Sequence, residues 1–133
     1  MSDSPTPPAR SPGETRRRQV MGDAFVDRAL ANANAFTRPL QQLVSDHAWG
    51  ATWQRDGIEL KQRSLCTVAM LAALGHTQEL KGHLRGALNN GATLAELREV
   101  LLHVAPYAGA PAAIAAFRAA GEWMTAEGLT FDE

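Results

Sequence analysis

A chain of 133 residues, 45% hydrophobic and 20% charged, has the length and composition of one globular domain around a single core. Its formal net charge of −1 gives no global field to gather nucleic acid or an acidic membrane, and neither is expected as a partner. Its single cysteine, Cys66, excludes an intramolecular disulfide, and no stretch approaches the ~20 apolar residues of a membrane span.

Residues 1–13 are rich in serine and proline (Pro5, Pro7, Pro8, Pro12) and lack an apolar pattern, so they read as a disordered tail ahead of one domain over 14–133. Thr15-Arg16-Arg17-Arg18 has a superficial likeness to a twin-arginine export signal. Asp23, Asp27 and Arg28 interrupt what would have to be an apolar region, so a cytoplasmic protein is expected.

From there the periodicity is helical throughout, with no convincing strand-like alternation. A first helix is predicted over Glu14 to Ala31, with Val20, Phe25, Val26 and Leu30 as its apolar side. A second covers Ala35 to Ala48, with Pro39 in its first turn, where a missing N–H is tolerated. Gly50 and Gly57 bracket a loop around Trp49 and Trp53. A third helix, Glu59 to Leu74, is apolar on nearly every side from Leu65 onward, as a helix at a bundle centre or an oligomer interface would be. Gly75 ends it, and Cys66 within it reads as a small packed hydrophobe.

A fourth helix runs from Thr77 to Asn89 and closes at Asn90-Gly91. Thr93-Leu94-Ala95-Glu96 is a capping box that opens a fifth, which is expected to end near Pro106 because a proline disfavours helical geometry at Ala105. The sixth spans Pro111 to Ala126 and stops at Gly128. The fold class is therefore all-α, a single helical bundle of about six helices.

Chemistry-bearing side chains sit within these helices. Glu79 and His83 are four apart on one helix, hence neighbours. A carboxylate there favours the imidazolium and orients the ring, preparing a proton donor; a solvated surface pair is the plainer reading. His76 and His83 are seven residues apart, ~10 Å along a helix, too far to share one zinc ion, so no metal is expected. Arg63, at the edge of the apolar part of its helix, either reaches solvent or holds a carboxylate in a pocket. Arg85 is assigned to the surface or an interface. His103, four after Glu99, is either a satisfied core histidine or a site residue. Tyr107 offers a hydroxyl to a ligand or a cap. Trp49 and Trp53 are core anchors first.

The order Arg63-Ser64-Leu65, Glu79-Leu80-Lys81-Gly82-His83-Leu84-Arg85, Asn89-Asn90-Gly91-Ala92-Thr93, His103 and Tyr107-Ala108-Gly109-Ala110-Pro111, with His47 to Trp53 before it, resembles the carboxymuconolactone decarboxylase family from about Gly22 to Glu127. The resemblance implies an alkylhydroperoxidase-like helical fold and a probe-able set of roles. His83 would be the proton donor, ahead of His103, with Glu79 orienting it and Arg63 anchoring the substrate anion. His103, Tyr107 and Trp49 would contact substrate. The implied reaction converts 4-carboxymuconolactone to 3-oxoadipate enol-lactone and carbon dioxide, in the protocatechuate branch of aromatic catabolism. The unsaturated lactone accepts the electron pair itself, so no cofactor is expected. The implied assembly is a homo-oligomer, a hexamer in the family. Alkylhydroperoxidase-like relatives carry Cys-x-x-Cys-x-x-x-His; aligned on His83, their cysteines fall on His76 and Glu79, which removes disulfide-exchange chemistry here. A decarboxylase acting on another lactone or oxo acid, or a non-catalytic oligomeric binder of aromatic acids, are the alternatives.

Overall fold

Ser11 accepts a hydrogen bond from the Glu14 backbone N–H at 3.1 Å. With that cap α1 (Pro12–Met21) begins two residues before the expected start. The computed structural model describes residues 9–132, so most of the expected tail lies outside the described residues. The single helix expected over 14–31 is two. Gly22 takes φ +92°, a conformation open to glycine, and α2 (Asp23–Ala31) leaves in a new direction. Arg18 spans the break, pairing with Glu14 and Asp23 at 3.1 Å and with Asp27 at 2.8 Å.

The second expected helix is also shorter. Asn34 Oδ1 accepts from the backbone N–H groups of Phe36 and Thr37, turning the chain before α3 (Arg38–Val44). A π-helical turn, Ser45–Trp49, follows and closes with Gly50 N–H donating to Ser45 C=O at 2.6 Å. A 3₁₀ turn, Thr52–Gln54, completes the corner. Gly13 explains how α1 lies so close to it. A Cβ there would stand 2.4 Å from the Ser45 carbonyl oxygen and 2.9 Å from the Gly50 nitrogen.

The remaining elements are α4 (Leu60–Leu74), α5 (Thr77–Asn89), α6 (Leu94–Ala108) and α7 (Ala110–Glu127). α4 is less enclosed than its sequence suggests. Only the stripe Ser64, Val68, Ala72 is buried, while Met70 and Leu74 are exposed. Cys66 lies off that stripe and is exposed rather than packed. The capping box of α6 forms as expected, with both Thr93–Glu96 bonds at 3.1 Å. That helix continues two residues past Pro106. So close to the end, the proline removes one hydrogen bond without stopping the turn, and Gly109 N–H still reaches Ala105 C=O at 3.0 Å. Among the described residues the fold is all-helical, with seven α-helices, and no helix is long and apolar enough to cross a membrane.

Two apolar clusters hold the chain. The larger joins α4 to α7 through Val68, Leu80, Leu84, Leu97, Leu101 and Trp123. The smaller gathers Val20, Met21, Val26, Trp49 and Trp53, with Phe25, Val44 and Leu60 against it. α5 borders both. It lies tightly on α1 because Gly82 and Gly86 face it; a Cβ at Gly82 would sit 3.1 Å from Met21 and Phe25, and one at Gly86 3.2 Å from Val20. His83, between these glycines, is thereby carried to the smaller cluster.

Candidate active site

His83 faces two indoles. Its ring lies 6.0 Å from that of Trp49 and 2° from parallel, and 6.3 Å from Trp53 at 22°. The indoles stack on each other at 4.8 Å. The corner at Ser45–Gln54 points both inward, leaving Trp49 4% exposed. Gln54 holds the corner by donating to Trp49 C=O at 2.9 Å and Pro12 C=O at 3.0 Å.

His83 Nδ1 is buried and has no hydrogen-bond partner. An unmade bond at a buried polar atom costs ~1–3 kcal/mol, so packing alone is a poor account of this ring. Burial, then the Arg17 guanidinium, push its pKa down to about 4, against the opposing pull of Glu79. The free protein therefore holds His83 neutral at pH 7. This corrects the expected imidazolium. Glu79 is exposed, and among the described residues no hydrogen bond or ion pair joins it to His83; the spacing is right, but the acid points into water.

Arg17 went unremarked in the sequence except as one of a basic run. It is 7% exposed, and its Nη1 donates to Gln41 Oε1 at 3.0 Å. The signal was present: Gly13, Arg17, Val20 and Met21 share one face of α1 at helical spacing, and all are buried.

Arg63 stands one turn beyond Leu60, which packs on the tryptophan cluster. Its Nη2 donates to Arg55 C=O at 3.3 Å, while its buried Nε has no partner. Next to it Ser64, fully buried, accepts from Asn90 Nδ2 at 2.8 Å, tying the end of α5 to α4.

His103 and Tyr107 fall elsewhere. Their rings are 5.2 Å apart, and they line an open groove of about 830 Å³ between α4 and α6. Leu65, Cys66, Ala69 and Val100 give it apolar walls, and Glu99 joins the two rings as its polar side. His103 is exposed, so it is no core histidine, and Tyr107 is 83% exposed. The structure thus brings Trp49 to His83 but leaves His103 and Tyr107 on a different helix pair. Arg85 pairs with Glu127 and lies 5.9 Å over the Trp123 ring, outside both places. Among the described residues no three His, Cys, Asp or Glu side chains cluster as a metal site would require.

Comparison with known proteins adds an independent line. The model of a family described as "Carboxymuconolactone decarboxylase family" matches residues 38–122, a span containing Trp49, Arg63, Glu79, His83, His103 and Tyr107. A nitrosuccinic acid decarboxylase of Metarhizium robertsii is 48% identical over 100 residues, covering 75% of this chain and 70% of that protein. A 4-carboxymuconolactone decarboxylase of Acinetobacter baylyi is 46% identical over 106 residues, covering 80% and 79%.

Proposed function

The chain belongs to the carboxymuconolactone decarboxylase family, and on that footing we propose that it converts 4-carboxymuconolactone to 3-oxoadipate enol-lactone and carbon dioxide. The observation that carries this reading is the likeness to the Acinetobacter enzyme, which extends over four-fifths of the chain. The site suits the chemistry. As the carbon–carbon bond to the departing carboxylate breaks, its electron pair enters the unsaturated lactone as an extended enolate. A proton then has to reach the ring carbon. The stacked indoles supply an apolar wall, which favours a step that disperses carboxylate charge.

In this reading His83 delivers the proton, and Trp49 and Trp53 shape the ring-binding wall. Arg63 attracts the substrate anion at the edge of the cluster, and Glu79 biases His83 toward protonation through space. His103 and Tyr107 contact substrate across a subunit boundary, where the groove of one copy closes on the site of another. The exposed apolar side chains Phe36, Leu40, Met70 and Leu74 support such a homo-oligomer, and we take it to be a hexamer. No cofactor is assigned, because the substrate is its own electron sink, and the cytoplasm is the proposed location.

The Metarhizium relative favours a second reading. Nitrosuccinic acid, like 4-carboxymuconolactone, is a dicarboxylic acid with an electron-withdrawing group beside the carboxylate that leaves. Carbon dioxide release from each compound, measured with the purified protein, decides between them. Turnover of the lactone is expected. Turnover of nitrosuccinic acid alone would reassign the substrate, and release from neither would leave a binding protein.

A further inference from the structure

We propose that Arg17 receives the carboxylate that the substrate retains, replacing Gln41 as its hydrogen-bond partner and fixing the reacting carbon beside His83. The proposal rests on the decarboxylase reading, and it adds a residue outside the segment that the family model matches.

The first observation is a buried cation with no ion-pair partner, on which Glu14 acts only from a distance. Arg17 is 7% exposed, yet among the described residues no carboxylate lies within ion-pair distance of it. The neighbouring carboxylates Glu14, Asp23 and Asp27 all turn to Arg18. A guanidinium carries five N–H donors in a fork that matches a carboxylate, and here its one side-chain partner is the neutral Gln41 amide. A buried charge is costly unless paired. A site that waits for an anion accounts for the arrangement.

The second observation is the ease of exchange. Gln41 belongs to α3, a seven-residue helix with no buried residue. Displacing its amide disturbs no core. The third is position: α1, which carries Arg17, packs through Val20 and Met21 on Gly82 and Gly86, the glycines on either side of His83, and the guanidinium opposes protonation of the ring.

Substrate chemistry selects which carboxylate is held. The leaving carboxylate loses its charge as the bond breaks, so a cation upon it would stabilise the ground state over the transition state. The retained carboxylate stays charged throughout, and binding energy from it is free to orient the reacting carbon. Both named substrate types possess one.

A consequence follows for the proton. The charged groups acting on His83 are Arg17 on α1 and Glu79 on its own helix. A carboxylate seated on Arg17 cancels the first and leaves the second, so with substrate bound His83 takes a proton from water more readily, against the burial that still lowers its pKa. It passes that proton to the ring carbon while the departing carboxylate leaves as carbon dioxide. One proton is consumed for each carbon dioxide released.

The test uses the full chain with Arg17→Met, Arg17→Lys and Gln41→Glu. On 4-carboxymuconolactone, Arg17→Met is expected to raise KM ~10- to 100-fold, the range for a lost charge-assisted hydrogen bond, and Arg17→Lys to recover part of it. Gln41→Glu, on the exposed helix, places a built-in carboxylate on Arg17 and should raise KM with the fold intact. Independently of turnover, NMR titration of His83 with succinate as probe should show its midpoint rising in the wild type and not in Gln41→Glu. An unchanged KM in Gln41→Glu, or an equal succinate response in both proteins, overturns the proposal. A succinate response confined to the wild type, without carbon dioxide release from the lactone, supports the anion site and rejects the substrate reading instead.

Discussion

Trp49 and His83 lie with their rings 2° from parallel and their centroids 6.0 Å apart, although they stand 34 positions apart in the chain. One is delivered by an irregular corner, the other by a regular helix, and the meeting depends on the glycines at 13, 82 and 86 that let α1 come close to both.

Acid should destabilise this protein through His83. The unfolded chain protonates the residue near pH 6.5 and the folded chain only near pH 4. As pH falls through that window the unfolded state binds the proton first, so stability declines, by ~3 kcal/mol once pH is below both values. Chemical denaturation at pH 7 and pH 4 should show that loss diminished in His83→Gln. An identical loss in the variant would place the acid sensitivity elsewhere.

His83→Ala should reduce turnover by ~10²- to 10⁴-fold, the range for a general acid or base, with the helical circular dichroism intact. His76→Ala, at the exposed start of α5, should leave turnover unchanged. Equal small effects of the two would make His83 a packing residue.

Gly13→Ala should weaken the fold by ~1–3 kcal/mol, the cost of overpacking, since the new methyl meets backbone atoms on the corner. Tryptophan fluorescence should shift as well, because that corner carries Trp49 and Trp53. An unchanged melting temperature and spectrum would show that α1 yields freely.

Asn90→Ala should cost ~1–3 kcal/mol by leaving the fully buried Ser64 hydroxyl without its partner. Ser64→Ala made in the Asn90→Ala background should then cost little more. Additive losses in a double-mutant cycle would deny the coupling.

If the α4–α6 groove completes the site of another copy, His83→Ala and His103→Ala subunits, each inactive alone, should regain activity when dissociated and reassembled together. Light scattering should give a mass several times 14.3 kDa. Failure to complement in a mixed oligomer would separate His103 from the chemistry.

The helices from Leu60 onward were legible from the sequence, because apolar spacing, the Gly75 stop and the Thr93–Glu96 box all agree locally. The break at Gly22 and the π-helical corner were not. Both are settled by contacts distant in the chain: Arg18 collecting carboxylates across the break, and Gly13 against Ser45 and Gly50. The same distinction runs through the site. Glu79 and His83 have the spacing of a pair, but burial and Arg17, on another helix, govern the ring's charge. Pairing His103 with Tyr107 was within reach of i,i+4 spacing, whereas its separation from His83 is a matter of which helices pack together.

The π-helical turn at Ser45–Trp49 has one further consequence. It closes through a five-residue step, Gly50 back to Ser45, where an α-helix would step four. The corner therefore contains one residue more than a regular turn, taken up by a wider loop of backbone. Loss of a single residue between Ser45 and Ala48 would close the corner as a regular turn and remove the wide backbone loop, Ser45 to Gly50, against which Gly13 packs. The seat of α1 on the corner is thus a matter of backbone length as well as of the missing side chain at Gly13.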